Sequence, residues 1–234
     1  MEKRLNTGVV IVAGGSGLRM GGGIPKQFRI VGGMPLLART INTFAAALPA
    51  ARIVVVLPAA HMGFWEDLRS RFKVAHHTTV AGGEQRFHSV KAGLAALPDY
   101  TGFVAVHDAV RALCTKKLII RTLQCAMENG SAVPATAPVD SFREVSADGT
   151  SRIADRSALR VIQTPQIFEY AALRRAYETE YDPAFTDDAS VAERAGIAIC
   201  LCEGERSNIK ITTPEDTAIA EALLEYRNNE DLPL

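Results

Sequence analysis

Short, wholly apolar runs alternate with segments of helical periodicity along most of this 234-residue chain. Three of these runs, 8–13, 53–57 and 102–106, are predicted to be strands buried on both faces, because no alternating polar residue interrupts them. Between them, Pro35 begins a segment whose apolar residues follow helical spacing, and 84–97 shows a similar pattern. This alternation is typical of βαβ units. It predicts an α/β fold with a Rossmann-like, mostly parallel sheet flanked by helices.

The segment from Val139 to Arg160 departs from this alternation. It is polar, and it has the turn signal Asp148-Gly149 with alternating residues on both sides, which predicts a protruding β-hairpin. Because such an arm has few large apolar residues of its own, we expect it to pack against a partner subunit. The predicted organisation is one domain, 1–234, with 139–160 as a β-arm for dimerisation. Three further runs, 74–80, 161–167 and 197–202, are predicted strands.

The charge balance limits the partners of this protein. With 26 basic and 26 acidic residues the formal net charge is zero, so no global field attracts nucleic acid or an anionic membrane. The first apolar run is too short for a signal peptide or a membrane span, so we expect a cytoplasmic protein. Cys200 and Cys202 lie two residues apart in an apolar run and are predicted to be core thiols on one strand face.

Because the net charge is zero, a phosphate-binding function must come from locally placed cations.

Such cations flank a glycine-rich segment that follows the first predicted strand. Between Gly14 and Lys26 the chain has six glycines together with Arg19. Glycine allows backbone N–H groups to approach an anion closely, and open α/β sheets bind ligands at the carboxyl ends of their strands. The segment therefore predicts a phosphate-binding loop.

Two well-known phosphate loops do not fit this segment. The dinucleotide fingerprint requires a glycine where Met20 stands and an acidic residue where the second strand ends, at Leu57-Pro58. The Walker pattern requires Gly-Lys-Ser/Thr, whereas Lys26 follows proline and precedes glutamine. An NAD-dependent oxidoreductase and a P-loop NTPase are thereby disfavoured, and a flexible glycine turn with two exposed cations remains the plain structural alternative.

The loop resembles the signature of the sugar-phosphate nucleotidyltransferases, and within them the methylerythritol phosphate cytidylyltransferase family. Further segments resemble this family's motifs in order along nearly the whole chain. They are 12–20, Pro25-Lys26-Gln27, Gly82-Gly83-Glu84-Gln85-Arg86 with Ser89, His107-Asp108-Ala109-Val110-Arg111, Thr164-Pro165-Gln166, Thr186-Asp187-Asp188-Ala189, Asn208-Ile209-Lys210 and Thr213-Pro214-Glu215-Asp216. Taken together in sequence order, these segments are far more specific than any one of them.

The resemblance implies transfer of a cytidylyl group from CTP to 2-C-methyl-D-erythritol 4-phosphate, with release of pyrophosphate, in non-mevalonate isoprenoid biosynthesis. An alternative with the same motifs is a ribitol 5-phosphate or other alditol-phosphate cytidylyltransferase. A non-catalytic nucleotide-sensing domain is disfavoured, because a sensor has no need of the full set of charged residues. The implied partners are CTP, a polyol phosphate and a second copy of the chain, without nucleic acid or membrane.

Residue roles follow from the same resemblance. The predicted catalytic residues are Arg19, Lys26, Arg156 and Lys210. The predicted CTP-binding residues are Ala13, Gly14, Gly15, Gly17, Gly82, Gly83, Ser89, Asp108 and Ala109, where Ser89 could equally serve the start of a helix. The predicted acceptor-binding residues are Asp108, Arg111, Arg156, Thr164 and Thr186, with Arg156 reaching across the dimer interface.

Two further expectations concern His107 and a metal. His107 is predicted to be a core histidine that donates to the backbone. A magnesium ion is implied, held mainly by the CTP phosphates. Many relatives carry an acidic residue where this chain has Ser207, so no protein ligand to the metal is named.

Overall fold

The computed structural model describes residues 6–14, 24–99 and 101–230, and they form an α/β fold, which confirms the predicted class. The strands, in chain order, are β1 (Thr7–Val12), β2 (Ile30–Val31), β3 (Met34–Pro35), β4 (Arg52–Leu57), β5 (Thr78–Ala81), β6 (Phe103–Asp108), β7 (Ser131–Thr136), β8 (Phe142–Val145), β9 (Ser151–Ala154), β10 (Val161–Ile162), β11 (Gln166–Glu169) and β12 (Leu201–Glu203). The α-helices are α1 (Leu36–Ala47), α2 (Ala59–Arg69), α3 (Arg86–Ala95), α4 (Lys116–Asn129), α5 (Tyr170–Ala176), α6 (Asp188–Arg194) and α7 (Pro214–Glu230).

The main sheet has eight strands in the order β10-β7-β11-β6-β1-β4-β5, with β12 paired to β7. The pairs β6–β1, β1–β4 and β4–β5 are parallel, so their carboxyl ends meet at one edge. Strand β11 lies antiparallel between β6 and β7, which brings its amino-terminal end to that same edge. The sheet edge therefore collects the residues that follow β1, β5 and β6 and those that precede β11.

Each face of this sheet carries its own hydrophobic core, as β1 illustrates. Val9 and Ile11 pack into the cluster that contains α1 and α4, whereas Val10 and Val12 pack into the cluster that contains α3 and α5. Successive side chains of a strand point to opposite faces, so a strand covered by helices on both sides must be apolar throughout. This requirement explains the uninterrupted apolar runs of the sequence.

Three strand predictions need correction. The predicted strand 74–80 is reduced to β5, which begins at Thr78. The predicted strand 161–167 is divided into β10 and β11 on either side of Pro165, since proline cannot donate to a sheet ladder. The predicted strand 197–202 is reduced to β12, so Cys200 precedes it and both of the thiols predicted to be core are only half-buried. An apolar run in the sequence does not show at which residue a strand begins to pair with the neighbouring strand.

The segment 139–160 contains a two-stranded sheet, β8–β9, that is separate from the main sheet. Its turn has Gly149 at φ 83°, a left-handed conformation that favours glycine. Two of its apolar side chains are largely exposed, Val145 at 72% and Ile153 at 78%.

Across the described part of the chain, no helix combines the length and apolar composition that a membrane span requires.

Candidate functional site

A charged cluster lies at the carboxyl end of β6, centred on Asp108. Its carboxylate oxygens contact two cations, with the Lys210 Nζ at 2.8 Å and the Arg86 Nε at 3.2 Å. Burial alone would raise the pKa of Asp108, but Arg86 and Lys210 outweigh it and hold that pKa well below its usual range. Asp108 is therefore a fixed negative charge at neutral pH, although its side chain is only 12% exposed.

Arg86 connects this cluster to a second aspartate. Its guanidinium forms a bidentate pair with the fully buried carboxylate of Asp188, at 3.0 and 2.7 Å, and the Tyr177 hydroxyl donates to the same carboxylate at 2.7 Å. Because Arg86 begins α3 and Asp188 begins α6, one side chain joins two segments that are 102 residues apart. The charges of Arg86, Asp108 and Asp188 thus form one connected network.

A hydrogen-bonded chain orients the backbone of Asp108. The Asp108 N–H donates to the Thr164 hydroxyl at 3.1 Å, and that hydroxyl lies 3.0 Å from the His107 Nδ1. Burial lowers the pKa of His107 to about 3, so the imidazole is neutral at pH 7. Since its Nε2 faces the Arg111 carbonyl at 3.3 Å, that nitrogen carries the proton and Nδ1 accepts from Thr164. His107 is thus a buried histidine that donates to the backbone, as predicted.

Two cavities adjoin Asp108 and share it with Arg86 and Lys210. The first has a volume of about 90 Å³ and is lined by Val12, Ala13, Gly14, Lys26, Gln27, Arg86, Asp108, Val110 and Lys210. The second has a volume of about 280 Å³ and is lined by Arg86, Asp108, Arg111, Ile162, Gln163, Thr164, Gln166, Thr186, Asp187 and Lys210. Of the residues predicted from the sequence, the structure therefore brings Ala13, Gly14, Lys26 and Lys210 to the first cavity, and Arg111, Thr164, Thr186 and Lys210 to the second, with Asp108 at both.

Gly82 and Gly83 lie beyond β5, against the first turn of α3. A Cβ at Gly82 would come within 2.6 Å of the Ser89 Oγ, and one at Gly83 within 2.4 Å of the His88 Cβ. Both positions are therefore closed to larger residues by the close approach of the helix. The Ser89 hydroxyl donates to the Gly83 carbonyl at 3.4 Å, so Ser89 also ties this segment to the helix.

Other predicted residues already have partners within the chain. The Ala109 N–H donates to the Val12 carbonyl at 3.0 Å, and the Ala109 carbonyl accepts from Thr40 at 2.9 Å, so a nucleotide contact through this backbone stays a prediction. The Arg111 guanidinium donates to the carbonyls of Asn208 and Ile162. These contacts hold Arg111 at the boundary of the second cavity.

One predicted catalytic residue of the described chain lies away from the cluster. Arg156 lies on a 3₁₀ helix, Arg156–Ala158, where its guanidinium donates to the Val139 carbonyl at 2.7 Å, and it lines neither cavity. Its role across a subunit interface stays a prediction. Gly15, Gly17 and Arg19 lie outside the described residues.

The cluster offers little to a metal ion by itself. Within residues 6–14, 24–99 and 101–230, no three His, Cys, Asp or Glu side chains converge as metal ligands would. Magnesium prefers oxygen ligands, and the oxygens of Asp108 already contact Arg86 and Lys210. The residues present therefore fit an ion held mainly by a bound phosphate chain.

Sequence reasoning missed three residues of this region. Asp188 and Tyr177 complete the Arg86 network, and Gln27 lines the first cavity with a side chain that is 1% exposed. Asp188 and Gln27 lie within motif segments, but nothing in their spacing signals a partner 102 residues away or a buried amide.

A charged cluster where parallel strands end, with two adjoining cavities, defines an α/β protein that binds phosphate-bearing ligands at its sheet edge. Comparisons with known proteins extend this class. Residues 7–226 match the family model described as IspD, 2-C-methyl-D-erythritol 4-phosphate cytidylyltransferase. The chain belongs to this cytidylyltransferase family, as the resemblance of its motifs predicted.

Curated relatives and solved structures agree with this membership. A 2-C-methyl-D-erythritol 4-phosphate cytidylyltransferase of Phocaeicola vulgatus is 45% identical over 221 residues, which cover 94% of this chain and 100% of that protein. The enzyme of that name from Bacteroides thetaiotaomicron is also 45% identical, and the match covers 92% of this chain and 98% of that protein. The crystal structure of the 4-diphosphocytidyl-2C-methyl-D-erythritol synthase of Anaerococcus prevotii superposes with a TM-score of 0.81 at 29% identity. It covers 94% of this chain and 96% of that one.

Proposed function

We propose that this protein transfers the cytidylyl group of CTP to 2-C-methyl-D-erythritol 4-phosphate. The observation that carries the proposal is the cation cluster at the sheet edge, where Lys26, Arg86 and Lys210 line one cavity with Asp108. In the reaction an acceptor phosphate oxygen attacks the α-phosphorus of CTP. The bond from that phosphorus to the bridging oxygen breaks, and pyrophosphate leaves with the electron pair.

Charge neutralisation is the main requirement of this reaction, because the attacking and the attacked groups are both anions. No protein nucleophile is needed if the two phosphates are held in line and their repulsion is offset. Lys26 and Lys210 provide this at the first cavity, whereas the charge of Arg86 is already balanced by Asp108 and Asp188. Fixed charges of this kind stabilise a transition state without reorganising during the reaction.

The two cavities suit two substrates. We assign the CTP phosphates to the first cavity, beside Ala13 and Gly14, and the polyol phosphate to the second, where Arg111, Thr164 and Thr186 lie. Asp108 belongs to both, and as a permanent carboxylate it can accept from hydroxyl groups on either substrate. Lys210 also lies at both cavities, which places its ammonium near the expected meeting point of the phosphates.

Magnesium is part of this proposal. Bound to the triphosphate, the ion would neutralise charge on the phosphate oxygens and keep several waters. Within the chain Lys26 and Lys210 bind and orient the phosphate chain, and Asp108 contributes a nearby carboxylate.

The arm supports a homodimer as a further part of the proposal. In the β8–β9 register Arg143 faces Ile153 and Val145 faces Ser151, so Val145 and Ile153 share one exposed face. Exposed apolar patches on an otherwise polar hairpin are typical of interfaces. In such a dimer Arg156 would reach the acceptor phosphate of the partner.

The four cysteines are unpaired, which supports a reducing, cytoplasmic location.

A pyrophosphate-release assay tests the activity. The protein is incubated with magnesium, one nucleoside triphosphate at a time, and either methylerythritol phosphate or ribitol phosphate. We expect release with CTP and methylerythritol phosphate. Absence of release with CTP and both acceptors would refute the enzyme proposal, whereas release with ribitol phosphate alone would establish the alternative acceptor.

A further inference from the structure

Two glutamines near the cluster are equally buried but differently paired. Gln166 is 1% exposed, its Nε2 donates to the Asp187 carboxylate at 2.8 Å, and its Oε1 accepts from the Ala189 N–H at 2.9 Å. Gln27 is also 1% exposed, yet neither its Nε2 nor its Oε1 has a hydrogen-bond partner among the residues that the structure describes. Buried amides are almost always paired, because an unpaired one keeps its full desolvation penalty. The fold alone therefore does not account for an amide at position 27.

The segment that carries Gln27 is held firmly in place. Lys26, Gln27 and Phe28 form a 3₁₀ helix, and Phe28 is 2% exposed, with its ring stacked on Trp65 at a centroid distance of 5.9 Å. Since Phe28 anchors the turn, Gln27 cannot move far from the first cavity to find a partner. The backbone at Gln27 is therefore positioned beside the cavity before any ligand arrives.

Among the described side chains that line the first cavity with Gln27, the charged acceptor is the Asp108 carboxylate, and it already pairs with Arg86 and Lys210. Around Gln27 the cavity walls are apolar at Val12, Ala13 and Val110, and the charged groups are Lys26 and Lys210 with the Arg86–Asp108 pair. Ammonium groups cannot accept a hydrogen bond. An anion drawn into this cavity by its cations would bring acceptor oxygens to the Gln27 N–H₂.

From this arrangement we infer that the Gln27 carboxamide binds the phosphate chain of the nucleotide, with Nε2 donating to a phosphate oxygen between Lys26 and Lys210. Oε1 then accepts from a water or hydroxyl group bound beside that phosphate. The inference rests on the proposed function, because it assigns the triphosphate to the first cavity. Gln27 is then an uncharged hydrogen-bond donor that orients the phosphate group, which the two lysines attract by their charge.

Substitution with methionine separates this role from a structural one. Gln27→Met keeps the length of the side chain and removes both polar atoms, so the unpaired amide no longer opposes folding. We expect the melting temperature of the ligand-free protein to stay the same or rise by up to about 5 °C. The rise in melting temperature that CTP with magnesium produces should shrink, and kcat/KM for CTP should fall about 10- to 100-fold.

Gln166→Met is the matched control for stability. It removes an equally buried amide whose partners, Asp187 and the Ala189 N–H, would be left unsatisfied. We expect it to lower the melting temperature of the ligand-free protein by about 5 °C. A Gln27→Met variant that loses stability like this control and keeps the full CTP-induced shift would overturn the inference.

Gln27→Glu provides a second, isosteric variant. It replaces the donor with a carboxylate that faces the phosphates, and it should weaken CTP binding more than methionine does. If neither variant folds, the amide is needed by the fold itself and the inference fails. If CTP stabilises the wild-type protein but no pyrophosphate is released, the proposed function is refuted. The CTP-induced shifts of wild type and Gln27→Met would still test whether Gln27 binds the nucleotide.

Discussion

The Asp108 cluster and the β8–β9 arm each carry an arginine–carboxylate ion pair, in opposite surroundings. Arg86 pairs with a fully buried Asp188, whereas Arg152 pairs with Glu144 on the surface of the arm, with side-chain exposures of 81% and 56%. A buried ion pair holds its two side chains in one arrangement, because separating them leaves a buried charge that neither water nor a partner stabilises. A surface pair is screened by water and contributes little. The cluster is therefore preorganised by its ion pairs, whereas the ion pair of the arm fixes little.

Breaking the buried pair should have the largest effect. Among the described residues, Arg86→Ala leaves the Asp188 carboxylate with the Tyr177 hydroxyl and removes a cation from Asp108, so we expect a loss of about 3–5 kcal/mol in the free energy of unfolding. Urea titration followed by circular dichroism measures this loss. Arg152→Ala is the control and should change stability by less than about 1 kcal/mol. Equal losses in both variants would remove the contrast between the two regions.

Removing a cation from the cluster should act on turnover. Lys26→Ala should lower kcat by at least about a hundredfold, because one fixed charge in such a site contributes about 3–4 kcal/mol to transition-state stabilisation. Steady-state pyrophosphate release measures it, with the exposed Lys117→Ala on α4 as the control. A Lys26→Ala enzyme within tenfold of wild type would contradict the proposed role.

Acid should destabilise the cluster before it affects the arm. The pKa of His107 is about 3 in the folded chain, against an ordinary value near 6.5, so the unfolded chain binds its proton first as pH falls. This group stabilises the fold fully above pH 6.5, and about 2 kcal/mol of that contribution should be lost by pH 5. Asp108 stays ionised across this window, and the arm contains no histidine.

Urea titrations at pH 7 and pH 5 test this expectation. In His107→Gln the loss between the two pH values should be smaller than in wild type, whereas in the exposed His76→Gln it should be unchanged. An unchanged loss in His107→Gln would show that another group, such as the buried His77, dominates.

The smallest expected effect concerns the arm. If Arg156 reaches the acceptor phosphate of a partner subunit, Arg156→Ala should raise the KM for the acceptor about tenfold and leave the KM for CTP unchanged. Arg152→Ala should change neither constant. Mixing Arg156→Ala with a Lys26→Ala chain sharpens the test, because heterodimers with one intact composite site should recover activity at acceptor concentrations so low that each variant alone is slow. No recovery and an unchanged acceptor KM would leave the arm without a substrate role.

Sequence alone determined the parts of this protein that depend on local pattern. The apolar runs at 8–13, 53–57 and 102–106 correspond to β1, β4 and β6 within a residue or two, because burial on both faces requires an unbroken apolar strand. The hairpin at 139–160 followed from its Asp148-Gly149 turn. The motifs identified the family, and with it a phosphate site where the parallel strands end.

Only the tertiary structure decided how the charged groups are paired. Arg86 meets Asp188 across 102 residues, and Thr164 meets His107 across 57, through helices and strands that come together only when the sheet has formed. Sequence spacing does not encode such contacts, since they depend on how the elements pack. The same holds for Gln27, whose amide has no partner among the residues that the structure describes. Local periodicity specifies the elements, and packing specifies which groups are satisfied within the chain and which are left for a ligand.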